Sequence, residues 1–478
     1  MNFKIVFKVL GSVLKLESYT LFVPLLAAIH YGENTSPFLI TLIATYIIGV
    51  ALSKIKASRH FYIREGFFTV GLIWVVTGFV GAMPFWFSGE FASFIDCLFE
   101  SYSGFTTTGA TILTDIESLS NGITLWRAFT HWLGGMGVLV LATAILPTLG
   151  IRSQYLTQAE SPGPVFSKLV PKQSQTSKLL YGIYFALTII MAFCLRFAGM
   201  NWFDAMLHSF STAGTGGFSN RNLSIGYYNS ISIDFIVTAF MIIFSINFAI
   251  HFLILTRRFK EAWKSDELKF FFTVVTIATL LIGINIYHIY GTPLQTLRYA
   301  LFHVASIIST SGLSTTDWIL WPHFSHIVLF LLMFIGACAG STGGGMKCSR
   351  ILILIRAIRR EIHQIVHPRS VEVVKLDGKV VEEKTIRSIL LFISSYLFIA
   401  LIATLIISLD NVTLGVSFSS VITSLSNIGP GLESVGPASN FSAFSIRAKL
   451  TMSFCMILGR LEIFPILVLL SPSAWKKQ

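Results

Sequence analysis

Ten apolar stretches alternate with short polar links, near residues 9–30, 36–55, 66–87, 123–147, 179–199, 231–255, 270–290, 324–340, 387–408 and 446–470. A bilayer core takes about 20 residues of helix to cross, so each stretch reads as a membrane span. Within the last four pairs of spans lies a segment of another kind. Leu98–Thr111 reads LFESYSGFTTTGAT, and Met206–Ser219 (MLHSFSTAGTGGFS), Leu301–Ser314 (LFHVASIISTSGLS) and Phe418–Gly431 (FSSVITSLSNIGPG) can be laid over it residue for residue. Each copy opens with a semi-apolar run able to form a short helix and then turns into small residues. The twelfth place is Gly109, Gly217, Gly312 and Gly429; the tenth is Thr107, Thr215, Thr310 and Asn427. A recurrence of about 100 residues argues for duplicated modules. The division is 1–60 for two leading helices, then modules 61–150, 151–265, 266–365 and 366–478.

The links carry the charge. Lys54, Lys56, Arg59 and Arg64 follow the second span; Arg152, Lys168, Lys172 and Lys178 follow the fourth. Arg257, Arg258, Lys260, Lys264 and Lys269 form the next link, then Lys347, Arg350, Arg356, Arg359 and Arg360, and the tail ends Lys476-Lys477. If each copy re-enters and leaves on one side, every basic link falls on a single face, which the positive-inside rule makes cytoplasmic together with both termini. Counting the copies as full spans would scatter the links over both faces. The copies then open on the opposite face, where Glu90, Asp115, Glu117, Asp317, Asp410 and Glu433 lie.

Composition agrees: 54% of the 478 residues are apolar and 12% charged, which excludes an ordinary soluble protein. The net charge of +12 is explained by the links, which carry few interleaved aromatics, so nucleic-acid binding is not supported. Cys97, Cys194, Cys338, Cys348 and Cys455 are scattered without metal-ligand spacing and read as packing residues. The N-terminal run has no small-residue cleavage site and reads as the start of the first helix. No cluster of groups resembles a catalytic site, so the chain is not read as an enzyme, and no cofactor is expected.

Non-helical backbone at membrane depth survives where it is buried in protein or lines a watery cavity. A short helix ending in a glycine-centred extended run fits a selectivity filter, whose carbonyls replace an ion's water shell. Glycine is required because turning successive carbonyls to one side demands φ > 0. Four loops in one chain supply a fourfold ring, and neutral oxygens without ring carboxylates suit a monovalent cation. The competing reading is four ordinary Gly-Ser-Thr turns, which leaves their common register unexplained.

The runs TTTGAT (106–111), GTGGFS (214–219), STSGLS (309–314) and SNIGPG (426–431) resemble the filter loops of the Trk/Ktr/HKT superfamily of cation transporters. HWLGGMG (131–137), GSTGGGMK (340–347), VKLDGKVV (374–381) and the two leading helices resemble its bacterial TrkH/TrkG branch. The resemblance covers essentially the whole chain. It implies an all-α integral membrane protein with about ten spanning helices and four re-entrant pore loops in a pseudo-tetrameric ring. It further implies potassium uptake across the bacterial inner membrane, with rubidium accepted and sodium passed poorly. The K⁺ filter would comprise Thr107, Thr108, Gly109, Thr215, Gly216, Gly217, Thr310, Ser311, Gly312, Asn427, Ile428 and Gly429. Glycine at place twelve of the first copy marks potassium preference in the family. The second copy departs by having two adjacent glycines, Gly216 and Gly217, which leaves its register open by one residue. Resemblance also implies a homodimer gated by a TrkA-type cytoplasmic nucleotide-binding subunit, with 152–178, 257–269 and 347–388 as its docking surface; the basic charge there serves topology and anionic lipid equally well.

Gly343, Gly344 and Gly345 cannot sustain a helix and should break the third module's second helix. The segment lacks the Gly-Lys-Ser/Thr of a phosphate loop and follows a membrane helix rather than a strand. By resemblance it is a gating loop beneath the filter, with Lys347 at its end; the plainer alternative is a loose helix end. Arg460 lies within an apolar run, where a charge costs about 2.5–3.5 kcal/mol on insertion scales and so faces a cavity or a partner. At 1.5 Å per residue it lies about 20 Å below Arg447, and the resemblance places such an arginine in the pore, opposing cation flow. A pair with a neighbouring helix's acid is the alternative. Glu462, two residues on, points elsewhere. Asn247 and His251 share a helix face and suit interhelical hydrogen bonds; His208 and His303 read as packing residues of the short helices. The rivals to a pore are a proton- or sodium-coupled secondary carrier, which predicts inverted repeats, and a scaffold or sensor with no open path.

Overall fold

The computed structural model describes residues 2–56, 63–137 and 173–471. Arg59, Arg152, Lys168, Lys172, Lys476, Lys477 and the end of the expected 123–147 helix lie outside them, as does the side chain of Arg64. Among the described residues the chain is helical apart from one two-stranded hairpin. Six segments are long and apolar enough to cross a membrane: Phe3–His30, Ser36–Ser53, Glu65–Ser88, Lys178–Phe197, Asp266–Tyr290 and Glu383–Asp410. They are the two leading spans and the first helix of each of four successive units. In each unit a short helix then follows: Phe94–Phe105, Trp202–Ala213, Pro293–Ile308 and Leu414–Ser426. Ser93, Asn201 and Thr413 cap three of these through their side chains, and Pro293 opens the fourth.

The helix that closes each unit differs from expectation. Sequence periodicity predicts unbroken helices over 123–147, 231–255, 324–340 and 446–470. The structure has Asn121–Gly135, Ile231–Ser245, His323–Ile335 and Ile446–Arg460, each ending short of the expected end. The causes are local. Gly137 and Gly336 adopt positive φ, as do Glu462 and Ile463 just before Pro465. In the second unit the chain turns by 101° between Ser245 and Phe248. There Asn247 caps the new helix by accepting from Ala249 N–H at 2.8 Å, and His251 Nε2 lies 2.9 Å from the Ile243 carbonyl at the broken end. Both serve the kink: the His251 bond joins the two helices on either side of it, and Asn247 caps the second.

A single large apolar core joins the leading helices to the first, third and fourth units, and a second cluster fills the second unit. All five cysteines are free thiols, four of them buried. On the basic face, Lys375–Leu376 and Lys379–Val380 pair through a turn with Asp377 and Gly378 at positive φ. Asp377 Oδ1 accepts from Asp266 N–H at 2.7 Å, and Asp266 pairs with Arg356 at 2.8 Å, so the hairpin, the helix Cys348–Val366 and the 257–269 link meet at one point.

Candidate functional site

All four short helices end in the same way. The N–H of place eleven donates to the carbonyl of place six: Thr108 to Ser103, Gly216 to Ser211, Ser311 to Ser306 and Ile428 to Thr423, at 2.8–2.9 Å. The N–H of place ten donates to place seven, at 3.0–3.3 Å. This is a Schellman C-cap, whose left-handed residue is usually Gly or Asn. Here Thr107, Thr215 and Thr310 hold φ of 56°, 56° and 60°, and Asn427 54°. A β-branched residue pays about 1–2 kcal/mol in this region, so three threonines held there mark a constrained site. Place twelve is left-handed again, with φ of 78° at Gly109, 88° at Gly217, 70° at Gly312 and 97° at Gly429. Alternating handedness turns successive carbonyls to one side of the strand. It also removes the one-residue ambiguity of the second copy: Gly217, not Gly216, is its place-twelve glycine.

The loops close on one another. A Cβ on Gly109 would run into the carbonyl oxygen of Gly216, one on Gly217 into that of Ser311, and one on Gly312 into that of Ile428; one on Gly429 would lie 2.7 Å from the oxygen of Thr108. Each place-twelve glycine thus abuts the place-eleven carbonyl of the next copy, and the fourth copy returns to the first. The eight place-eleven and place-twelve residues expected from sequence in the filter meet in this ring, with Thr107, Thr215, Thr310 and Asn427 directly before them in the chain. Each short helix aims its C-terminus at it, and the negative end of a helix dipole, equivalent to about half a charge, favours a cation there. On the mouth side the four glycines border a cavity of about 120 Å³. Asn427 Nδ2 donates to Thr108 Oγ1 at 3.0 Å, tying the fourth loop to the first.

Beneath the ring runs the glycine segment after Ile335. Gly344 N–H donates to Thr310 Oγ1 at 2.7 Å, and Gly345 N–H to the Ser426 carbonyl at 2.9 Å. Cys338 N–H (3.0 Å) and Thr342 N–H (3.4 Å) donate to Ser245 and Phe244, whose carbonyls the break in the second unit leaves open. The two breaks therefore satisfy each other. Glu267 Oε1 holds the segment's ends by accepting from Ala339 N–H (2.7 Å) and Ser349 N–H (2.9 Å), and Lys347 Nζ donates to the Gly343 carbonyl. Arg460 donates from Nη1 to the Thr342 carbonyl at 2.8 Å, and from Nη2 to Gly135 at 2.8 Å and to Gly134. It joins the glycine segment to the ends of the first and fourth units' closing helices. Glu462 pairs instead with Arg350, which packs over the Phe392 ring at 4.3 Å.

The family model for TrkH cation transport proteins matches residues 35–477. The chain belongs to the TrkH family. It is 39% identical to the Trk system potassium uptake protein TrkH of Escherichia coli K12 over 490 residues, covering both chains fully, and 34% identical to that organism's TrkG over 99% of each chain. The crystal structure of the potassium transporter TrkH from Vibrio parahaemolyticus superposes with a TM-score of 0.89, at 35% identity and full coverage of both chains.

Charges that the sequence reading passed over brace the ring of this TrkH-family chain. Glu100, at place three, accepts from Arg127 Nη2 at 2.6 Å and Nε at 2.8 Å, and from Ile112 N–H at 3.1 Å. Arg127 reaches the Ser219 carbonyl and stacks over Phe218 at 4.2 Å, so one buried pair holds the outgoing legs of two loops. His208 and His303, at place three of their copies, bridge likewise to Ser219 Oγ (3.0 Å) and to the Thr316 carbonyl (3.2 Å). Arg298–Asp234 and Lys449–Asp96 are further buried pairs, at 2.6 and 2.7 Å. A charged residue inside an apolar stretch was the available signal. Removing one member strands the other: Arg127→Ala is expected to destabilise the protein by about 3–5 kcal/mol. A thermal-unfolding shift in detergent no larger than that of a lipid-facing alanine substitution would contradict this.

Proposed function

We propose that this chain takes up potassium across the bacterial inner membrane, with both termini and the basic links cytoplasmic. The observation that carries the proposal is the closed ring, in which four loops of common register lean carbonyl to glycine around one axis. The place-ten to place-twelve residues, Thr107 to Gly109, Thr215 to Gly217, Thr310 to Gly312 and Asn427 to Gly429, supply oxygens that replace the water shell of K⁺. Modules 61–150, 151–265, 266–365 and 366–478 each contribute one loop. The glycine segment Gly343–Gly345, with Lys347 and Arg460, closes the path below until it moves. A homodimer regulated by a TrkA-type nucleotide-binding subunit completes the reading; the exposed stripe Ile355, Ile358, Ile362 and Ile365 on the basic helix Cys348–Val366 offers that subunit an apolar contact beside the charge.

The test is isotope flux into liposomes holding the purified protein. Uptake of K⁺ and Rb⁺ well above Na⁺, without an imposed proton or sodium gradient, is the expected result. Uptake that demands such a gradient would move the coupled-carrier reading ahead, and absence of any flux would favour a scaffold.

A further inference from the structure

We infer that His131 is a positioning residue of the ion path, completing the second loop from outside it. The inference rests on reading the ring as a selectivity filter. Three loops fill place eleven with a side chain of their own. The Thr108 hydroxyl lies 2.8 Å from that of Thr106, Ser311 Oγ accepts from Ser309 Oγ at 2.8 Å, and Ile428 is fully buried. The second loop has only Gly216 there, followed at once by Gly217.

The backbone does not call for this glycine. Gly216 is absent from the positive-φ residues of the chain, and side chains occupy the equivalent place three times over. What excludes a side chain is space: a Cβ on Gly216 would fall within the imidazole of His131, against Cγ, Nδ1 and Cε1. His131 is wholly buried and comes from the closing helix of the first unit, Asn121–Gly135. Its ring stacks on Phe218 at 4.1 Å between centroids. Nδ1 accepts from Phe218 N–H at 3.4 Å and lies 3.3 Å from Ser211 Oγ. With Nδ1 accepting, a neutral ring carries its proton on Nε2.

The consequence follows from chain stiffness. Gly216-Gly217 is the only place-eleven and place-twelve pair of the four without a single Cβ, and such a pair has the widest choice of backbone angles. The Gly216 carbonyl is also the one that abuts Gly109. The imidazole lies behind this peptide as Thr108, Ser311 and Ile428 lie behind theirs, and blocks its rotation. His131 and Gly216 are one unit, with the side chain moved to another element.

A compensating pair tests this. In liposome flux, His131→Ala is expected to lower the K⁺/Na⁺ ratio about tenfold, the factor that matches about 1.4 kcal/mol. Gly216→Ser alone is expected to lower it as much, because the new Cβ meets the ring. The double variant His131→Ala/Gly216→Ser, which restores the pattern of the third loop, is expected to recover most of the parent's ratio. Size-exclusion elution identifies folded protein, and if either single variant fails to fold the double variant is compared with the parent directly. A parent-like ratio in His131→Ala, or a double variant no more selective than the poorer single one, overturns the inference. A parent that passes no ion selectively overturns instead the underlying filter reading.

Discussion

Serine in place of Gly109 admits sodium. Two independent obstacles stand against it. The residue sits at φ 78°, where an L side chain costs about 1–2 kcal/mol. Its Cβ would also run into the Gly216 carbonyl oxygen, so the neighbouring loop must turn that carbonyl aside. The expected result is a K⁺/Na⁺ flux ratio lowered by about tenfold or more, tenfold corresponding to ~1.4 kcal/mol. Serine at Gly217 or Gly312 should do the same. Gly429→Ser should act in the same direction, because φ there is 97° and its Cβ would stand 2.7 Å from the Thr108 backbone oxygen. Gly182→Ser is the control, since a Cβ there meets nothing within 4 Å. Equal selectivity in the control and the four ring variants would end the case for the ring as the ion-selecting element.

Alanine in place of Arg460 is expected to speed potassium flux severalfold while leaving selectivity unchanged. The guanidinium ties the Thr342 carbonyl of the glycine segment to Gly134 and Gly135, and in the proposed path its charge would oppose a passing cation. Arg460→Lys separates the two effects. It retains the charge, but a single ammonium cannot reproduce a fork that reaches three carbonyls on two elements. If charge alone limits flux, lysine behaves as the parent; if the tie to the glycine segment contributes, lysine falls between parent and alanine, which is the expected order. Single-channel or flux records in which alanine conducts no faster than the parent would remove Arg460 from the gate.

The contrast between these two sites shows what could be read from the chain. Gly109 stands out in the sequence because four aligned copies repeat it, and the need for φ > 0 follows from local geometry alone. Its second role, making room for a carbonyl more than a hundred residues away, depends on how the loops face each other. Arg460 stands out because a charge in an apolar stretch is costly. Its acceptors, three backbone carbonyls on two other elements, carry no sequence mark, because any residue offers a carbonyl. Outside the third unit, whose glycine run announces its break, the early ends of the closing helices were hidden for a related reason. Apolar residues run straight through 231–255, and hydropathy does not register that the carbonyls left open at Phe244 and Ser245 are satisfied by N–H groups of the glycine segment nearly a hundred residues on.

By itself, then, the sequence determined the membrane class, the two leading spans, the fourfold repeat and the glycines at its centre. These rest on composition, on period and on backbone conformations that only certain residues reach, all of which are local properties. Tertiary structure decided the register of the second loop, the closing of the ring, the partners of Arg460 and Glu462, and the filling of the Gly216 gap by His131. Each of these is a matter of which surfaces meet, and contact between distant segments depends on packing that no single stretch of chain encodes.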